Sequence, residues 1–160
     1  MEEKKTILLV EDNLQDELLT IRALKQNGIR HDIVVCRDGL EALDWLLFRG
    51  DFKNRDQSQN PAVILLDLKL PKLDGHQVLS AIRADRQLKF LPVVILTTSK
   101  EESDVLKSYE NGANSYIQKP VNFDDFSKAI RNLGIYWLLM NESTSASKYS
   151  SQENVGVLSD

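Results

Sequence analysis

Short apolar runs alternate with longer amphipathic stretches along this chain of 160 residues. The runs are Ile7-Leu8-Leu9-Val10, Ile33-Val34-Val35-Cys36, Val63-Ile64-Leu65-Leu66, Val93-Val94-Ile95-Leu96 and the shorter Tyr116-Ile117. Each reads as a strand, and strands separated by helical stretches predict an α/β protein with a parallel sheet. After the first run, Leu14, Leu18, Ile21 and Leu24 recur at helical spacing until Asn27-Gly28 stops them. Leu40, Leu43, Leu46 and Leu47 follow the second run, and Val78, Leu79 and Ile82 the third. A helix around Ser103 to Asn111 ends at Gly112, and the last helix begins near Asn122. The third run is the most apolar, which places it centrally, because a parallel strand covered on both faces reads as a continuous apolar run. One connection is unusual. Gly50 to Asn60 is a polar stretch in which Phe52 is the one large apolar residue, whereas loops in α/β units usually take ~2–6 residues.

Past Asn141 the pattern stops. Residues 142–160 carry six serines and four charges without an apolar period, too little to offset the entropy of ordering them. The expected division is a domain over 1–141 and a flexible polar tail over 142–160. The single cysteine, Cys36, and the two histidines, His31 and His76, leave no Cys- or His-based metal centre and suit a reducing compartment. His31 and His76 have no partner at an informative spacing and receive no role. A net charge of −4 argues against nucleic-acid binding. The start of the chain lacks the features of a signal peptide, and no apolar run approaches a membrane span. A soluble, cytoplasmic protein is expected.

In an open parallel sheet, ligands bind beyond the carboxyl ends of the strands. The polar residues there are Glu11 and Asp12 after the first strand, Asp67 after the third, Thr97 after the fourth and Lys119 after the fifth. A strand order 2-1-3-4-5 would bring them to one edge. Singly, each has a plain structural reading: an acidic turn at a helix start, a turn cap, a packed threonine, a solvated lysine. Together, three carboxylates without His or Cys suit Mg²⁺. A carboxylate beside Mg²⁺ can attack a phosphoryl group and form an aspartyl phosphate, with Lys119 and Thr97 holding the phosphoryl oxygens. Asp67, ending the most buried strand, is the best nucleophile.

Glu11-Asp12, Asp67 with Pro71 and Gly75 behind it, Thr97, Tyr116 and Lys119-Pro120 give the chain a close resemblance to the receiver domain of two-component response regulators, over residues 5 to about 135. The resemblance implies a flavodoxin-like doubly wound sheet of five parallel strands in order 2-1-3-4-5, with helices on both faces. It makes Asp67 the phosphoacceptor, and Glu11, Asp12, Asp67 and the backbone carbonyl of Lys69 the Mg²⁺ site. Lys119 and Thr97 would bind phosphate, Thr97 and Tyr116 would act as the switch pair, and the bond before Pro120 would be cis. The implied function is a phosphorylation switch and not a turnover enzyme. A histidine kinase supplies the phosphoryl group, and the surface of the fourth helix, fifth strand and fifth helix responds. Alternatives are a shuttle to a histidine phosphotransfer protein, or an aspartyl-phosphate phosphatase. The latter wants a second Asp two residues after the nucleophile, where this chain has Lys69.

Ile135-Tyr136-Trp137-Leu138-Leu139-Met140 is apolar all round a helix, more than one face can bury against the sheet. Ile135, Tyr136, Trp137 and Leu138 are therefore expected at a homodimer interface. The long Gly50–Asn60 connection and this last helix also resemble the regulators that serve cyanobacterial phytochromes, which implies a phytochrome kinase as phosphodonor.

Overall fold

The computed structural model describes residues 4–119 and 122–132. Five strands and five helices alternate along it. β1 spans Lys4–Val10, α1 Leu14–Gln26, β2 Asp32–Cys36, α2 Gly39–Leu46, β3 Gln59–Leu66 and α3 Gly75–Ala84. β4 then spans Val93–Thr97, α4 Glu102–Glu110, β5 Ser115–Gln118 and α5 Phe123–Asn132. The strands form one sheet in the order β2-β1-β3-β4-β5, every pair parallel. This is the flavodoxin-like order expected from the sequence, with the most apolar strand at the centre.

Side-chain alternation divides the core in two. Leu8, Val10, Ile64, Leu66 and Ile95 face one way and pack under Trp45, Leu46, Leu79 and Ile82 of α2 and α3. Ile7, Leu9, Leu65, Val94 and Leu96 face the other way, toward Ala23 and Leu24 of α1 and Phe126 and Ile130 of α5. Both faces are covered, as an all-parallel sheet requires.

Four of the five helices open on side-chain caps that satisfy orphan backbone donors, Asn122 Oδ1 accepting from Asp125 N–H at 2.9 Å at the start of α5. Asn13 Oδ1 accepts from Asp16 N–H at 3.0 Å, and Asp38 Oδ1 from Glu41 N–H at 2.7 Å. Asp74 and Gln77 form a reciprocal capping box, at 2.9 and 3.0 Å. α4 differs: the residue before it, Glu101, makes no side-chain cap, and the helix fully buries Ser108 alone.

The polar connection after α2 is more structured than its composition predicts. A single 3-10 turn covers Gly50–Phe52, and β3 begins at Gln59 because Gln59 and Asn60 pair with Lys4 and Lys5 of β1. Pro61 has no N–H to give the ladder, and the register shifts beside it, between Thr6 and Ile7. Arg55 pins the connection. Its guanidinium lies 3.8 Å from the Trp45 ring centroid and 3.7 Å from that of Phe48, while its N–H groups donate to Trp45 O at 2.6 Å and Gln59 O at 2.9 Å.

α1 also departs from its pattern. Leu24 is buried, but Leu14 and Leu18 are 60% and 57% exposed. The helix turns Glu17, Thr20 and Ala23 inward instead. The expected cis-proline at Pro120, the interface residues Ile135, Tyr136, Trp137 and Leu138, and the tail over 142–160 lie outside the described residues.

Candidate functional site

Backbone hydrogen bonds continue the sheet's ladder one residue past the strand ends and so fix the site. Glu11 N–H donates to Cys36 O at 2.9 Å, Asp67 N–H to Val10 O at 3.1 Å, and Lys119 N–H to Thr97 O at 2.7 Å. Glu11, Asp67, Thr97 and Lys119 are all buried, while Asp12 is exposed at the rim. Behind Asp67 the chain turns on Gly75, whose N–H donates to Leu68 O at 2.8 Å. A Cβ at Gly75 would fall 2.2 Å from the Asp67 carbonyl oxygen, so only glycine lets α3 start this close to the acidic edge.

One carboxylate oxygen each from Glu11, Asp12 and Asp67 lies within 4.8 Å of the others. Lys119 Nζ donates to Glu11 Oε1, to Asp67 Oδ2 at 3.1 Å and to Asp16 Oδ2 at 3.2 Å. The second Asp67 oxygen accepts from the Lys69 N–H at 3.3 Å, and Glu11 Oε2 from the Asn13 N–H at 3.3 Å. Asp16, one helical turn beyond Asp12, had no strand-end position to mark it in the sequence. A cavity of about 410 Å³ opens beside the cluster, lined by Asp12, Lys69, Pro71, His76 and Asp104 among others.

The electrostatics follow from burial. Removal from water pushes the Glu11 carboxyl up to about 7, against the pull of Lys119. Burial also works against the charge on Lys119, yet Asp67, Glu11 and Asp16 together hold its ammonium above the usual lysine range. A buried carboxylate partly neutralised by one shared ammonium, with two further carboxylates within reach, is short of positive charge. The donor set is all oxygen, with one rim position open to solvent. Such a set fits a hard divalent cation that keeps some of its water.

Thr97 Oγ1 accepts from Ser99 N–H at 3.3 Å. The Tyr116 ring packs against the α2–α3 side of the core, and its hydroxyl donates to Ser99 O at 3.0 Å. Ser99 links onward, its hydroxyl donating to Asp104 Oδ2 at 2.6 Å, while Asp104 Oδ1 meets His76 Nε2 at 3.2 Å. His76, given no role from the sequence, thus has a partner 28 residues away. Their spacing carries no local signal, and only the packing of α3 beside α4 brings them together.

Comparison with known proteins agrees with this arrangement. The family model of the response regulator receiver domain matches residues 7–131. The chain belongs to the response regulator receiver domain family. Response regulator Rcp1 of Synechocystis sp. is 44% identical over 134 residues, 84% of this chain and 89% of its own. The crystal structure of the Mn²⁺-bound form of Rcp1 covers 84% of this chain and 94% of its own, with a TM-score of 0.75. The phosphorylated cyanobacterial phytochrome response regulator RcpA is 41% identical, covering 84% of this chain and 94% of its own, with a TM-score of 0.75. The bacteriophytochrome response regulator RtBRR is 54% identical, covering 84% and 80%, with a TM-score of 0.71. Receivers are signalling switches of two-component systems, and this one stands close to the phytochrome-linked regulators. No helix among its described residues is long and apolar enough to cross a membrane.

Proposed function

We propose that this receiver accepts a phosphoryl group on Asp67 from the phosphohistidine of a histidine kinase. The observation that carries the reading is the convergence of Glu11, Asp12, Asp67 and Lys119 on one edge of the sheet. An Asp67 carboxylate oxygen attacks phosphorus. The nitrogen–phosphorus bond breaks, and the electron pair returns to the donor imidazole. Glu11, Asp12, Asp67 and the Lys69 carbonyl would hold Mg²⁺, which neutralises charge on the transferring phosphoryl oxygens. Lys119 already lies 3.1 Å from Asp67 Oδ2 and follows the charge onto the phosphoryl group. The Thr97 hydroxyl turns from the Ser99 N–H to a phosphoryl oxygen, and the Tyr116 ring repacks with it. The surface of α4, β5 and α5 carries the change to partners as a shift between existing conformations.

Lys69 stands where an aspartyl-phosphate phosphatase would carry its general acid, so a stoichiometric switch is favoured over turnover. The names of RcpA and RtBRR support a phytochrome kinase as donor. Leu14 and Leu18, exposed on α1 just after Asp12, offer that donor an apolar landing surface. Ile135, Tyr136, Trp137 and Leu138 are the proposed contact of a homodimer, and the protein works in the cytoplasm. Radiolabelled phosphoryl transfer from a phosphorylated bacteriophytochrome-type kinase tests the reading. It should run at least tenfold faster than from an unrelated histidine kinase, and equal rates would remove the phytochrome assignment.

A further inference from the structure

α4 is weakly anchored by apolar contact. It lacks a side-chain cap, fully buries Ser108 alone, and leaves Leu106 and Tyr109 at 59% and 50% exposure. A groove of about 630 Å³ separates Lys107 of α4, and Asn111 just past its end, from Gln77, Ser80 and Ala84 of α3. On the other side of His76 lies the cavity beside the acidic cluster. Between these openings a polar chain crosses. His76 Nε2 meets Asp104 Oδ1, and the other Asp104 oxygen accepts from the Ser99 hydroxyl. Those two contacts hold the Asp104 carboxyl below the usual carboxylate range, the serine contributing more. The Ser99 hydroxyl also accepts from the Glu101 N–H at 3.3 Å, fixing the turn into α4. From Ser99 the chain divides, its N–H reaching Thr97 and its carbonyl receiving Tyr116.

We propose that His76 and Asp104 form a latch between α3 and α4 that holds Ser99 in place and so keeps the Tyr116 ring inward. His76 is then a positioning residue for the switch, acting through Asp104 and Ser99 and touching no reacting atom. The remaining imidazole nitrogen, Nδ1, is buried without a hydrogen-bond partner, so the side chain leaves one polar atom unsatisfied while making the bridge. An apolar residue of similar bulk would remove that orphan along with the latch. Stability and switch position therefore separate on substitution. The inference rests on Thr97 and Tyr116 being the switch pair, and it deepens that reading.

The test is ¹⁹F NMR of the full chain labelled with 3-fluorotyrosine, without phosphodonor, the Tyr116 signal being assigned by Tyr116→Phe. His76→Leu should lower the ratio of inward to outward ring by at least about fivefold, the lower end of ordinary site-to-site coupling. His76→Gln, which keeps a donor toward Asp104, should restore most of the ratio. Ser99→Ala cuts the same chain from its other end and should shift the ratio in the same direction, which keeps the test valid should His76→Leu not fold. A Tyr116 signal unmoved in folded His76→Leu or in Ser99→Ala overturns the latch. The ring position is read without phosphorylation, so failure of Asp67 to accept phosphate is a separate result.

Discussion

Burial holds the Glu11 carboxyl up at about 7, against 4.5 for a free glutamate. Between those values the folded chain keeps a proton on Glu11 that the unfolded chain has lost. Stability from this group therefore falls as pH rises through the window and stays low above it. A bound divalent cation reverses the effect by favouring the ionised form. In chelator at pH 8, Glu11→Gln should stabilise the fold by on the order of 1–3 kcal/mol, read as a higher Tm. Mg²⁺ should raise the Tm of the native chain and not that of the variant, and more at pH 8 than at pH 5.5. A lower Tm for Glu11→Gln in chelator would contradict the burial argument. Thermal scans across pH, with and without Mg²⁺, measure all three. At this scale the sequence was informative for residues that end strands, because the fold itself sends strand ends to one edge. It was silent on Asp16, His76, Ser99 and Asp104, whose roles come from helices meeting in space. Cys36 is the small buried residue it was read to be, its thiol pushed up to about 12 by burial.

Elements were legible where apolar periodicity is driven by the sheet. The five strands and both covered faces follow from runs that must be buried on two sides, while their order came from the resemblance to receiver domains. The helical spacing of α1 was read correctly but does not say which of its leucines the core takes, and the pattern missed the order in the connection after α2, where Arg55 stacks on Trp45 and Phe48. Arg83 does the same work at the far end of α3. Its guanidinium donates to Gly112 O at 2.9 Å, Lys89 O at 3.0 Å, Leu91 O at 2.7 Å and Asn114 Oδ1 at 3.0 Å. Removing it leaves several carbonyl groups short of a donor. Arg83→Ala should lower Tm by about 3–8 °C with Asp67 phosphorylation by a small donor unchanged. An unchanged Tm would show these bonds to be replaceable by water. Leu18→Asp is the complementary case. Its exposure keeps the expected stability change within about 0.5 kcal/mol. Transfer from the kinase should slow by about tenfold or more, while uptake from a small phosphodonor stays the same. Equal loss with both donors would place Leu18 in the chemistry and not in docking.

The whole molecule brings a charged, partly neutralised edge together with a loosely seated helix. The proposed phosphorylation would add negative charge at the acidic cluster, and among the five α-helices α4 buries the fewest residues. Thr97, at the end of the strand beside Asp67, meets Ser99, and Ser99 meets Asp104 of α4, so the helix with the fewest buried residues stands one polar chain away from that edge. The proposed homodimer contact at Ile135, Tyr136, Trp137 and Leu138 belongs to the same scale. Trp137→Asp should halve the mass seen by light scattering at micromolar concentration, and a native chain that is monomeric with and without phosphate would remove that contact. The central claim is the phosphoacceptor. Intact mass after incubation with Mg²⁺ and acetyl phosphate, on the native chain and on Asp67→Asn, tests it most directly. The account expects one Mg²⁺-dependent phosphate on the native chain and none on the variant, with the two circular dichroism spectra alike. A phosphate retained by Asp67→Asn would contradict it.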